Sequence, residues 1–157
     1  MSDASLTVRR ATRADIGTLR RFEQGIVAAE RPFDPTIRKG EVHYYDIAAL
    51  IASADAFVAI AEAGGAAIGC GFARKKASPV YVDPEFHAYI GLMYVEPAHR
   101  GKGVSDAIIR RLIDWAREGG LAEIRLEVYP GNAAAIRAYE KAGFAPHMLE
   151  MRRGLGE

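Results

Sequence analysis

The chain has 157 residues, of which 50% are apolar, and 21 Lys and Arg stand against 20 Asp and Glu for a net charge of +1. That length suits one domain with a continuous core, expected over residues 1–157. The near-neutral balance excludes a chain-wide field that would recruit nucleic acid or an anionic membrane surface, so affinity for anions has to be local.

A lone cysteine, Cys70, leaves no partner for an intramolecular disulfide and reads as a small buried hydrophobe. The histidines His43, His87, His99 and His147 have no metal-ligand spacing, and no metal is expected. The N-terminal stretch lacks the apolar core of a signal peptide. Asp46, Asp55 and Glu62 interrupt the most apolar region well below spanning length, which points to a cytoplasmic protein.

In chain order, Leu6 to Arg9 alternates as a strand, and Thr12 is a fitting N-cap for a helix through Ile16, Leu19, Phe22 and Val27. Pro32, Pro35 and Gly40 break the pattern into a loop up to His43, after which helical spacing resumes from Tyr44 to Ala52. Ala56 to Ala61 and Ala67 to Arg74 read as a hairpin about Gly64-Gly65. Ser78 to Glu85 is irregular. Ala88 to Val95 is a strand apolar enough to be central.

Val104 onward is an amphipathic helix with Ile108, Leu112 and Ala116 on one face, stopped by Gly119-Gly120. A strand follows from Glu123 to Tyr129, then a helix capped by Asn132 and ended by Gly143, and a last strand from Phe144 to Arg152. The fold class expected is α/β with a mixed sheet: an antiparallel hairpin, then at least one right-handed parallel crossover, with about four helices on both faces.

Between the central strand and its helix runs Arg100-Gly101-Lys102-Gly103-Val104-Ser105. A glycine-rich turn that opens a helix leaves backbone N–H groups without intrahelical acceptors, and the helix dipole adds positive charge there. Such a corner is a socket for a phosphate. The P-loop spacing Gly-x-x-x-x-Gly-Lys-Ser/Thr is absent.

Together, Val95-x-Pro97-x-x-Arg100-x-x-Gly103 and the segment from Asn132 to Phe144 resemble the GNAT superfamily of N-acetyltransferases, most specifically over residues 92–144. Ser105 departs from the family's small Gly or Ala at that position, and Asp106 would have to point to solvent to avoid repelling a pyrophosphate. The resemblance implies acetyl-coenzyme A as co-substrate, with Arg100, Gly101, Lys102, Gly103, Val104 and Ser105 around the pyrophosphate, Met93 and Val95 pairing with the pantetheine amides, and Asn132 as a further contact. It implies that the central strand splays from the next one and that the thioester lies in the gap, polarised by a backbone N–H near Tyr94.

Acetylating an amine requires removing a proton from an ammonium whose pKa lies near ~10.4 and protonating a departing thiolate. The resemblance assigns Glu127 as general base, with Glu96 in reserve, and Tyr139 as general acid. It places the acceptor, a small amine or a peptide, against residues 31–45 and 78–87, where Phe33, Asp34, Glu41, His43, Tyr44, Tyr45, Tyr81, Asp83, Glu85 and His87 are available. Pairing of two copies is implied by analogy alone. The alternative of the same fold is a non-catalytic acyl-coenzyme A sensor, which would need neither Glu127 nor Tyr139.

Overall fold

A computed structural model describes residues 5–156; residues 1–4 and 157, the two ends of the expected domain span, lie outside it. The chain runs β1 (Thr7–Arg10), α1 (Ile16–Glu30), α2 (Ile47–Ala52), β2 (Ala56–Ala63), β3 (Ala66–Ala77), β4 (Phe86–Val95), α3 (Val104–Glu118), β5 (Ile124–Arg125) and α4 (Ala133–Lys141). The sheet order is β1-β2-β3-β4-β5. The first four strands are antiparallel to their neighbours, and β5 is parallel to β4 across the α3 crossover.

Period-two alternation divides the core. On β2, Val58 and Ile60 face α1 and α2 together with Leu19, Phe22, Ile47 and Leu50. Phe57, Ala59 and Ala61 face α3 with Val104, Ile108 and Leu112. Each fully buried Leu, Ile or Phe adds about 1.5–3 kcal/mol of transfer free energy, so both helical layers are held mainly by this burial. Among the described residues no helix is long and apolar enough to cross a membrane.

Thr12 is the N-cap, as expected: it opens a short 3-10 turn at Arg13–Asp15 that leads straight into α1, and its N–H is bound by the Asp15 carboxylate at 2.7 Å. Three other expectations are corrected. The second helix starts at Ile47, capped by Asp46, whose carboxylate accepts from Ala49 N at 3.1 Å; Tyr44 and Tyr45 lie before it because other contacts hold their N–H groups. Strand pairing after α3 covers only Ile124 and Arg125, and residues 144–156 form no strand. Periodicity over 123–129 and 144–152 reports strand-like sequence, but a ladder needs a partner at hydrogen-bonding distance.

Candidate active site

The β4–β5 ladder pairs Ala88 with Ile124 and Tyr89 with Arg125 and goes no further. Beyond it, β4 continues to Val95 while residues 126–129 leave the sheet, so an unpaired edge opens between them. This is the splay that the resemblance implied.

A bulge lies at the mouth of this gap. Cys70 faces Tyr94 and Phe72 faces Gly91, so two residues of β4 oppose the single Gly71 of β3. Leu92 adopts φ +57, the one non-glycine residue with a positive φ among those described. Such a conformation costs roughly 1–2 kcal/mol for an L-residue and survives where its surroundings impose it. The extra residue swaps the alternation: Tyr89 faces α1 and α2, yet Met93 and Val95 face α3. Glu96 N donates to Ile68 O at 2.8 Å, so by alternation Val95 and Met93 turn their own backbone groups away from β3 and into the gap. Tyr94 pairs with Cys70, so its own N–H is directed at β3; the free donors are those on either side of it.

The socket stands at the far end of β4. Pro97–His99 form a 3-10 turn, and Gly101 and Gly103 take φ +74 and +82. Gly103 N-caps α3 without a side-chain cap, leaving the first N–H groups of a 15-residue helix facing solvent. Lys102 is exposed beside them. Asp106 pairs with Arg110 at 2.9 Å, which draws its carboxylate along the helix surface. Arg100 donates from Nε to Val95 O at 2.9 Å, and its guanidinium lies 5.7 Å from the centre of the Tyr94 ring. Arg100 thus occupies one lone pair of the Val95 carbonyl.

Asn132 caps α4, its Oδ1 accepting from Ala135 N at 3.2 Å. Tyr139 is half-buried 6.1 Å from the Phe144 ring, and burial, then the charge of Glu30, raises its pKa. Glu127 is exposed on the segment that has left the sheet. Glu96 pairs with Arg21 at 2.6 Å and accepts from the Tyr94 hydroxyl at 3.4 Å.

The two acceptor segments part company. Residues 31–45 cross toward the end of β5: the Tyr129 hydroxyl donates to Asp34 at 2.7 Å, and the Phe33 and Tyr129 rings stack at 6.4 Å. Asp34 is lowered to about 2, first by the Thr36 hydroxyl and then by Tyr129. Residues 78–85 lie instead at the end of β4 where β5 is still paired. There His87 is buried against the Ser78 hydroxyl at 2.8 Å and Tyr81 is exposed, so neither belongs to the gap.

Glu30 went unrecognised in the sequence. It ends α1, half-buried, and burial followed by Asp34 raises its pKa. Burial first, and then neighbouring charges that include Glu30, raise the phenols of Tyr44, Tyr45, Tyr89, Tyr129 and Tyr139. For Tyr89 the raise comes first from burial and next from the charge of Glu127. The Tyr44 hydroxyl is buried without a partner. A carboxylate on the last residue of a helix opposes the helix dipole, and that was the available signal.

The chain thus combines a parallel edge that opens after Tyr89 and Arg125 with a helix start that no side chain caps. The chain belongs to the Acetyltransferase (GNAT) family, whose pattern matches residues 24–144. It is 31% identical over 140 residues to the N-alpha-acetyltransferase RimI of Mycobacterium tuberculosis, covering 88% of this chain and 78% of that protein. It is 49% identical over 51 residues to the streptothricin acetyltransferase of Streptomyces lavendulae, a match that spans 32% of this chain and only 27% of that relative. The aminoglycoside acetyltransferase AAC(6')-Iy, solved with the bisubstrate analog CoA-S-monomethyl-acetylneamine, superposes with a TM-score of 0.75 at 19% identity, over 96% of this chain and 99% of that one.

Proposed function

We propose that this protein transfers an acetyl group from acetyl-coenzyme A to a cationic primary amine by direct attack in a ternary complex. The observation that carries the reading is the β4–β5 gap opening past Tyr89 and Arg125 in line with the unpartnered N–H groups at the start of α3. Gly101, Lys102, Gly103, Val104 and Ser105 would hold the pyrophosphate, Met93 and Val95 the pantetheine amides, and Asn132 the coenzyme near α4. The bound thioester supplies the acetyl group; the rest is done by this chain.

Glu30 and the tyrosine walls attract an ammonium, since a carboxylate with aromatic faces suits a compact cation. Glu127, exposed at the rim, accepts the ammonium proton and can pass it to water. Tyr139 protonates the departing sulfur. RimI, a relative by sequence, is an N-alpha-acetyltransferase, so peptide α-amines join small cationic amines in the substrate class to be tested.

The test is release of free thiol from acetyl-coenzyme A by the purified protein with peptides, amino acids, polyamines and aminoglycosides in turn. Turnover with at least one cationic amine is expected. Tight coenzyme binding with no turnover on any of them would overturn the enzyme reading in favour of a sensor.

A further inference from the structure

Glu23 has no part in that chemistry, yet it is fully buried in the α1 face that packs on the sheet. Its Oε2 accepts the backbone N–H groups of Tyr44 at 3.0 Å and Tyr45 at 3.1 Å, and its Oε1 stands 3.0 Å from His43 Nδ1. A carboxylate buried at this depth is expensive to desolvate and is retained where it fixes a geometry.

The geometry it fixes belongs to Tyr45. With its N–H held, the Tyr45 ring lies edge-on to Phe72 at 4.8 Å, and its hydroxyl ends against β4. That oxygen is 2.7 Å from where a Cβ on Gly91 would stand, a position only glycine leaves free. The Leu92 carbonyl in turn accepts from Cys70 Sγ at 3.1 Å. The bulge is therefore touched by a thiol from β3 and by a phenol delivered from the loop before α2.

We propose that Glu23 and Tyr45 form a clamp that holds the Gly91–Met93 bulge in the one conformation that turns the Met93 and Val95 backbone groups into the gap. Tyr45 is then a positioning residue that couples the acceptor-side loop to the coenzyme-side edge. The consequence for coenzyme binding rests on the reading that the coenzyme occupies the gap. The existence of the clamp does not.

Tyr45→Phe separates the two, because the ring stays on Phe72 and only the oxygen goes. Without ligand, amide hydrogen exchange at Leu92 and Tyr94 should accelerate by about tenfold or more while α3 amides are unchanged, as expected when one local opening becomes easier. Titration with coenzyme A should give a dissociation constant about 5–20-fold above wild type, a shift within the range of coupling between neighbouring groups. Glu23→Gln, which keeps an acceptor oxygen but loses its charge, should move both readouts the same way by less. Unchanged exchange in both variants overturns the clamp. Faster exchange with wild-type coenzyme affinity overturns the positioning role. A wild-type protein that binds no coenzyme A refutes the proposed function, and exchange alone then decides whether the clamp exists.

Discussion

Gly103→Val tests the phosphate socket against a built-in control. Gly103 has φ +82 and Gly120 has φ +76, and a Cβ at either would meet nothing within 4 Å. A side chain in the left-handed region costs roughly 1–2 kcal/mol at either site. Both variants should therefore lose similar stability, a fall in Tm of about 2–8 °C for a chain of this size. Only Gly103 caps α3 at the proposed socket; Gly120 follows the other end of the same helix. Losing one charge-assisted backbone contact to a phosphate costs about 1.5–3 kcal/mol, which is a roughly 10–150-fold rise in dissociation constant. Calorimetric titration with coenzyme A and a thermal melt on both variants measure the two effects separately. Gly103→Val binding coenzyme A within about threefold of Gly120→Val would refute the placement of the phosphates.

Tyr139→Phe should lower kcat by about 10²-fold or more with little change in coenzyme affinity, as loss of a general acid does; steady-state kinetics beside calorimetry checks it. Glu127→Gln should reduce turnover most at low pH, where deprotonating the amine is hardest, and a uniform loss across the pH profile would assign Glu127 a structural role. Glu30→Gln should raise Tm at neutral pH while raising KM for the amine. The pKa of Glu30 is raised in the fold, so its ionised form is a burden above that pKa; the gain should disappear as pH falls below the ordinary carboxylate value, a window that pH-dependent melts resolve. Tyr129→Phe removes the 2.7 Å bond to Asp34, so Asp34 should titrate above about 2 by NMR while Thr36 still holds it below the ordinary value, and KM for the amine should rise with coenzyme affinity unchanged.

Residues that act through the backbone or through local chain order were legible before any coordinates. Gly101 and Gly103 mark a turn because only glycine takes those dihedrals freely, and Asn132 marks a helix start because its side chain competes for a nearby N–H. Residues whose role comes from long-range neighbours were not. Glu23 interrupts the apolar stripe of Leu19, Phe22 and Val27, a visible anomaly, but its partners lie about 20 positions away on a loop that has no periodicity. The partner of Glu96, the reserve candidate behind Glu127, was equally out of view, since Arg21 lies 75 positions away.

By itself the sequence determined the order of helices and strands from β1 to α4, the glycine turn and the family, because hydrophobic period and dihedral preference are local properties of the chain. Only the tertiary structure decided where β5 stops pairing, how Leu92 shifts the alternation of β4, and that Glu23 holds the backbone of Tyr44 and Tyr45. Those depend on which distant segments come to lie within hydrogen-bonding or Coulombic reach, and a one-dimensional pattern carries no distances.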